Sequence, residues 1–167
     1  IGRTFKETLQ NAIRTLTIGR FGLGVESLDG PGLGGDPDAV EKALINPNSN
    51  RLFFIYEAAR HGVALEKIYE LSRIDPWFLY QIYQIQKLEQ RLMEMTRAGI
   101  DSKQWDPDLL KKTKEYGFSD VQLAKIAGTN EQTIRETRIS KGIRPVYKLV
   151  DTCAAEFRAA TPYYYST

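Results

Sequence analysis

The feature that most constrains this fold is the regular placement of signals that start and stop helices. Three dipeptides put an N-cap acceptor before a proline at the first helical position: Asp36-Pro37, Asp75-Pro76 and Asp106-Pro107. Five glycines stand where helices should stop and can adopt positive φ: Gly62, Gly99, Gly117, Gly128 and Gly142. The spacing predicts helices at about 4–17, 37–45, 50–61, 64–72, 76–97, 107–116, 119–127 and 131–141, and extended chain only at 146–150. The predicted fold class is therefore all-α.

A repeat with a constant offset of 55 residues lies within this pattern. Gly62 matches Gly117, and later positions match in the same way: Val63 with Phe118, Ile68 with Leu123, Leu71 with Ile126, Asp75 with Asn130 and Leu79 with Ile134. An internal duplication would give two small helical lobes, each too small to bury its apolar face alone, packed together. Unrelated helical hairpins share the same pattern, so the alternative of two similar hairpins without a duplication stays open.

The longest predicted helix, 76–97, is a candidate spine across both lobes. Its first half is apolar almost all round, which predicts core positions for Trp77, Phe78 and Ile82 and contact with the second lobe for Leu79, Tyr80 and Tyr83. In its second half, Ile85, Leu88, Leu92 and Met95 form an apolar stripe opposite Lys87, Gln90, Arg91 and Glu94. The polar side is predicted to face solvent, and we expect any self-association surface to draw on this half.

A glycine-rich loop at 19–35 contains a weak phosphate-binding pattern. Residues 30–35 satisfy G-x-G-x-x-G, but that motif needs a preceding strand and a βαβ unit, and neither is predicted here. The chain also has no G-K-[ST] sequence, so a P-loop is absent. We interpret the loop as a mobile surface segment that binds no nucleotide.

Segment 119–141 has the spacing of a helix-turn-helix. Leu123, Gly128 and Ile134 occupy the packing and turn positions, and four basic side chains could meet phosphates: Arg135, Arg138, Lys141 and Arg144. Against this, Glu131 and Glu136 lie on the recognition helix. A DNA-binding regulator is therefore the alternative function, and simple helix packing is the structural explanation.

Other function classes find little support in the residues. The net charge of +2, from 23 basic and 21 acidic residues, gives no drive toward nucleic acid or membrane, and no apolar run approaches the roughly 20 residues of a membrane span. His61 and Cys153 are the only residues of their types, which excludes a zinc site built from His and Cys alone and an intrachain disulfide. We interpret Cys153 as a buried inert thiol and His61 as a surface imidazole. Five carboxylates suggest no acid–base pair and are interpreted as solvated faces and caps: Glu57, Glu66, Glu70, Asp151 and Glu156.

The C-terminal stretch 150–167 does not look like an ending. It carries three consecutive tyrosines at 163–165 after a helical body that is already complete, so we expect its rings to pack on a further domain. Its run Asp151-Thr-Cys-Ala-Ala-Glu-Phe157 resembles the junction segment of carbamoyl phosphate synthetase large subunits. The resemblance extends over essentially the whole chain, through Ile1-Gly-Arg-Thr4, Asp75-Pro-Trp-Phe-Leu79, Gly117-Phe-Ser-Asp120, Leu123-Ala-Lys125 and Arg144-Pro-Val-Tyr-Lys148.

This resemblance implies a helical oligomerisation, or connection, domain between two ATP-grasp halves. Residues 1–18 would be the closing helix of the preceding half, 19–150 the domain itself and 151–167 the junction to the following half. The family makes carbamoyl phosphate from bicarbonate, ATP and ammonia delivered by a glutamine-hydrolysing small subunit, for cytoplasmic arginine and pyrimidine synthesis. Its ATP and Mg²⁺ ligands lie in flanking segments, so the resemblance implies no catalytic, cofactor-binding or metal-binding residue here.

The implied partners are the flanking ATP-grasp domains, the glutaminase small subunit and further copies of the chain, with no membrane or nucleic acid. The 19–35 loop departs from the family pattern by being longer.

Overall fold

The computed structural model describes residues 1–16, 18–24, 37–158 and 162–167, with the backbone alone at 37–40. These residues form helices α1 (Phe5–Thr15), α2 (Pro37–Ile45), α3 (Arg51–Arg60), α4 (Leu65–Ser72), α5 (Pro76–Arg97), α6 (Pro107–Glu115), α7 (Asp120–Ala127) and α8 (Glu131–Ser140). A 3₁₀ turn at Ser102–Gln104 precedes α6, and a two-stranded sheet follows α8. The predicted all-α class is confirmed, and the observed helices end within two residues of the predicted bounds.

The predicted caps explain why the helices begin where they do. Asp75 Oδ1 accepts from Trp77 N at 2.8 Å, and Asp106 Oδ1 accepts from Asp108 N at the same distance. Ser119 forms a complete capping box with Gln122 at the start of α7. The Asp36 cap lies outside the described residues.

The cap at α1 differs from the predicted box. Thr4 Oγ1 accepts from Glu7 N at 3.2 Å, but Glu7 Oε2 accepts from Arg3 N at 2.7 Å instead of returning to Thr4 N. The Glu7 side chain therefore ties the segment before the helix to its first turn.

Helix α5 is the spine of the molecule. It packs against α3, α4, α7 and α1, while α2, α3 and α4 pack on one another and α7 packs on α8. The stripe predicted for its second half holds, because Ile85, Leu88 and Leu92 are buried within a continuous apolar core. Lys87, Gln90, Arg91 and Glu94 are exposed, as predicted. The structure thus has two groups of helices joined through α5.

The predicted roles in the first half of α5 are partly wrong. Ile82 and Leu79 are buried, but Trp77 is 53% exposed and Phe78 43% exposed. Tyr80 is also exposed, rather than covered by the second group of helices. A helix that is apolar on all sides is fully buried only if neighbouring elements cover every side. Here the neighbours cover one side, and the fully buried tryptophan is Trp105, just after the 3₁₀ turn.

Backbone features repeat at the predicted offset of 55 residues. Helices α4 and α7 have the same length and offset bounds, and α5 and α8 begin 55 residues apart. Val63 N donates to Ala58 O at 3.0 Å, and the matching Phe118 N donates to Thr113 O at 3.1 Å. The order of helices is the same in the two repeats. The duplication itself stays a prediction, which a superposition of residues 50–84 on 105–139 would test.

The C-terminal tail folds back on the chain. Strand β1 (Tyr147–Leu149) pairs antiparallel with β2 (Tyr164–Ser166), with Tyr147 opposite Ser166. The extended segment at 146–150 is thus observed, and its partner strand is one that the sequence pattern did not predict. The rings of Tyr147, Phe157, Tyr163 and Tyr164 remain at least half exposed. The described part of the chain holds no helix long and apolar enough to cross a membrane.

Candidate functional site

The most distinctive exposed feature is an aromatic surface where α1 and α5 begin. It consists of Phe5, Trp77, Phe78 and Tyr80. The rings of the first three pack edge to face, with centroids 5.3 Å apart for Phe5–Trp77, 5.2 Å for Phe5–Phe78 and 5.0 Å for Trp77–Phe78. Such geometry is favourable for aromatic pairs and holds each ring in place. The surface is therefore ordered by its own contacts while most of it faces outward.

A lysine edge borders this aromatic surface. We use that name for Lys6 and Lys112, whose ammonium groups lie 4.6 and 5.7 Å from the centroid of the Tyr116 ring. Lys6 also donates to Gln81 Oε1 on α5 at 2.7 Å. Desolvation, followed by repulsion from Lys112, lowers the pKa of Lys6, and desolvation with the proximity of Tyr80 and Glu115 raises the pKa of Tyr116. Two cations thus converge beside exposed aromatic rings.

The first part of the glycine-rich loop is buried, which corrects the prediction of a mobile surface segment for 22–24. Leu23 is fully buried, and its backbone is held on both sides: Leu23 N donates to Gln10 Oε1 at 2.7 Å, and Gln122 Nε2 donates to Leu23 O at 2.8 Å. A Cβ at Gly22 would overlap the Gln10 and Gln122 side chains. The rest of the loop, 25–35, lies outside the described residues, including the G-x-G-x-x-G pattern, so the absence of nucleotide binding stays a prediction.

A buried carboxylate lies at the end of this segment. Glu89 is 1% exposed on α5, and Tyr56 donates its hydroxyl proton to Glu89 Oε2 at 2.5 Å. Gly24, with φ +115°, passes so close that a Cβ there would overlap the Glu89 carboxylate. Burial, and then the nearby negative charge of Glu89, raises the pKa of Tyr56 far above its ordinary value. Residues 22–24 therefore fasten α1, α5 and α7 together.

Comparisons with known proteins show the family of the chain. Residues 1–142 match the family described as the carbamoyl-phosphate synthetase large chain, oligomerisation domain. The carbamoyl phosphate synthase large chain of Archaeoglobus fulgidus is 47% identical over the whole of this chain, which covers 15% of that protein. The large chain N-terminal sections of Aquifex aeolicus and Methanopyrus kandleri are 45% and 43% identical over the whole chain, which covers 28% and 30% of them. The chain belongs to the oligomerisation-domain family of carbamoyl-phosphate synthetase large chains.

Membership of the oligomerisation-domain family favours the first of the two predicted functions, and nothing supports the DNA-binding alternative. The α7–α8 hairpin exists, but its central basic residue is used internally: Arg138 Nε donates to Asp120 Oδ2 at 2.8 Å, and Lys114 Nζ contacts Asp120 Oδ1 at 2.8 Å. Burial alone would raise the pKa of Asp120, but Lys114 and then Arg138 more than offset it, so that pKa is lowered.

The rim of the groove beside this hairpin also carries mixed charge. The groove is about 1060 Å³, and its exposed lining includes both basic residues (Arg3, Lys111 and Arg144) and acidic residues (Asp108, Glu115 and Glu131). Sequence-independent DNA binding relies on a field of one sign that meets many phosphates. The mixed charges of this rim do not produce such a field.

The other residues that the sequence singled out have ordinary surroundings. His61 is exposed and lies 3.8 Å from Glu57 Oε2, as expected of a surface imidazole, whereas Cys153 is half-buried rather than buried. Asp151 accepts from Cys153 N and Ala155 N within the tail. Among the described residues, no three His, Cys, Asp or Glu side chains come together as a metal site would require. The absence of catalytic and cofactor-binding residues stays a prediction for this oligomerisation domain.

Proposed function

We propose that this chain is a non-catalytic helical connector and self-association module of a carbamoyl phosphate synthase large chain. The parent enzyme would make carbamoyl phosphate from bicarbonate, ATP and glutamine-derived ammonia in the cytoplasm, for arginine and pyrimidine synthesis. Its ATP and Mg²⁺ would bind in flanking ATP-grasp domains, and its glutaminase small subunit would supply the ammonia. This proposal rests on relatives of which the chain covers only 15–30%.

The observation that carries the proposal is the division between the interior and the surface. Buried polar side chains, such as Gln10 and Gln122, bind the backbone of Leu23 in the segment between α1 and α2. Large rings, by contrast, lie exposed in ordered clusters, above all on the aromatic surface. Exposed apolar patches of this kind mark interaction sites.

Calorimetric titration with Mg·ATP tests the non-catalytic part. The isolated chain should show no saturable heat and no ATP hydrolysis, because the ATP-grasp ligands would be elsewhere. The full-length large chain serves as the positive control under the same buffer conditions. A saturable micromolar site on the 167-residue chain would refute the proposal.

Size-exclusion chromatography with light scattering tests the self-association part. The chain has a mass of 19.0 kDa, and we expect a larger mass that falls on dilution. Charge reversal at Arg91 alone (Arg91→Glu), on the exposed face of α5, should lower the association while leaving helix content unchanged. A monomer at every concentration would remove self-association from the proposal without affecting the connector role.

A further inference from the structure

We propose that the segment following Thr167 in a longer large chain extends strand β2 by pairing with the backbone of Arg144, and that it places a carboxylate beside Arg144 and Lys141. The inference rests on the proposed function, since it requires the chain to be part of a longer polypeptide. It assigns one occupant, and the chemistry of that occupant, to the end of the groove that the two-stranded sheet borders.

The end of the two-stranded sheet fixes the direction of the backbone at Thr167. Val146 N donates to Thr167 O at 2.9 Å, and Thr167 N donates to Val146 O at the same distance. Two residues that exchange both bonds form a hydrogen-bonded pair, and such pairs alternate with non-hydrogen-bonded pairs along an antiparallel ladder. The first residue after Thr167 would therefore lie opposite Pro145, and the second would lie opposite Arg144.

Pro145 is compatible with this extension. It would stand at a non-hydrogen-bonded position, where the N–H of a residue points away from the partner strand, so its missing N–H interrupts no bond of the ladder. A proline also favours extended backbone in the residue before it, which here is Arg144. The Arg144-Pro145 sequence therefore allows the strand pairing to continue by one further hydrogen-bonded pair.

Arg144 offers both of its backbone groups to such a partner. Within the part of the chain that the structure describes, neither Arg144 N nor Arg144 O takes part in a hydrogen bond. The preceding Ile143 differs, because its N–H donates to Arg138 O at 2.8 Å and its carbonyl accepts from Arg138 Nη1 at 3.3 Å. Unpaired backbone at the end of a sheet is a template for an added length of strand. Since residues 141–146 and Thr167 all line the groove, a longer β2 would enter it.

The charge at this end of the groove defines the chemistry of the segment. The rim as a whole carries mixed charge, but both charged side chains within 141–146 are basic, those of Lys141 and Arg144. Among the described residues, neither takes part in an ion pair. Residues directly opposite each other in an antiparallel pair have neighbouring side chains on one face, and opposite charges there are stabilising. A carboxylate on the second residue after Thr167 therefore matches Arg144.

Covalent connection favours this segment over a second copy of the chain. A single residue separates Thr167 from the position opposite Arg144, so the pairing would be intramolecular and would occur at high effective concentration. A strand from another copy would have to displace the polypeptide that continues from Thr167 at the same position of the ladder.

Hydrogen exchange at the Arg144 amide tests the proposal by comparing the 167-residue chain with the full-length large chain that contains it. In the shorter chain this amide should exchange near the rate of an unstructured peptide, because none of the described residues accepts its proton. In the full-length chain it should exchange about a hundredfold more slowly, as expected of an amide that exchanges only through local opening. Pro145 has no amide, so fragmentation separates the Arg144 signal from that of Val146, which should be protected in both chains.

Two proline variants of the full-length chain test the register. Proline at the second residue after Thr167 should remove most of the protection of Arg144, because it takes away the N–H that would be donated to Arg144 O. Proline at the first residue after Thr167 is the matched control, since that residue would stand opposite Pro145 and donate no N–H to the partner strand. The control should keep the protection of Arg144.

A second pair of full-length variants tests the carboxylate. Arg144→Glu should lower the protection of its own amide about tenfold, after correction for the intrinsic exchange rate, because it puts like charges opposite each other. Arg135→Glu is the matched control, since Arg135 is an exposed arginine of α8 that does not line the groove. This control should leave the protection of Arg144 unchanged.

The outcomes are distinct. Equal exchange of Arg144 in the two chains overturns the proposal, as does protection that rises with concentration in the shorter chain, which would assign Arg144 to a contact between copies. Protection that neither proline variant alters would assign Arg144 to another part of the large chain and also overturns it. Equal loss in both proline variants overturns the register, and equal effects of Arg144→Glu and Arg135→Glu overturn the carboxylate. Carbamoyl phosphate synthesis measured on the same full-length sample reports the proposed function separately.

Discussion

Two glycines at equivalent places in the 55-residue pattern allow one contact of α1 to be isolated. Gly62 has φ +82° and Gly117 has φ +86°, so an alanine at either position bears nearly the same backbone strain. Their surroundings differ. A Cβ at Gly62 meets nothing within 4 Å, whereas a Cβ at Gly117 lies 2.8 Å from Gln10 Cβ and 2.9 Å from Glu7 Cα.

The expected costs follow from this difference. Gly62→Ala should destabilise by about 1–2 kcal/mol, the cost of a left-handed L-residue. Gly117→Ala should cost about 1–3 kcal/mol more, because overpacking forces the backbone of α1 away from the loop. Glu7 and Gln10 are buried, and Arg14 Nη1 donates to Gly117 O at 2.7 Å, so this contact cannot relax at its edge.

Urea unfolding followed by circular dichroism measures both variants. The slopes should match that of the unchanged chain, so that the shift in midpoint reports stability alone. Both substitutions reduce the entropy of the unfolded chain similarly, and that contribution cancels in the comparison. Equal costs for the two variants would refute the close packing of α1 on the Gly117 loop.

Three further substitutions test particular parts of the structure. Trp105→Ala should cost about 3–5 kcal/mol in urea unfolding, and Trp77→Ala less than half of that, because water can fill an exposed site; the reverse order would contradict the observed burial. Asp120→Asn should destabilise by about 2–4 kcal/mol, since it leaves Lys114 and Arg138 unpaired. The folded-state pKa of Asp120 is below its ordinary 3.8, so its contribution is present above that pH and lost as pH falls through the lower value. The acid limb of stability should therefore flatten in Asp120→Asn, and an unchanged limb would refute the pairing. Tyr80→Asp should keep the helix content of the unchanged chain, because this ring is exposed; unfolding would instead support an interior role.

Local signals in the sequence were sufficient for the helices. The Asp-Pro pairs and the stop glycines act within one turn of the chain, and the bond from Asp75 to Trp77 N and the positive φ of Gly62 and Gly117 match their predicted roles. These features depend only on residues a few positions apart, so they can be predicted from the sequence.

Long-range contacts were beyond that reasoning. Which side of α5 is covered depends on how α1 and α7 approach it, so the exposure of Trp77 and Phe78 could not be read from periodicity. The burial of Leu23 depends on Gln10 and on Gln122, which lies 99 residues away. The sequence did contain one signal for this burial. Gly22 and Gly24 flank Leu23, and glycines at such positions are as consistent with a backbone that passes close to other groups as with a flexible loop.

Buried polar groups tie the helices of the chain to one another. Gln10 and Gln122 clamp the Leu23 backbone, while Glu89 sits against Gly24. Separating the helices would break both Leu23 bonds, and each buried donor or acceptor left unpaired would cost about 1–3 kcal/mol. Helix α1 carries both this internal clamp and, at its first turn, Phe5 of the aromatic surface. Helix α1 is therefore coupled to α7 through Gln10, the Leu23 backbone and Gln122.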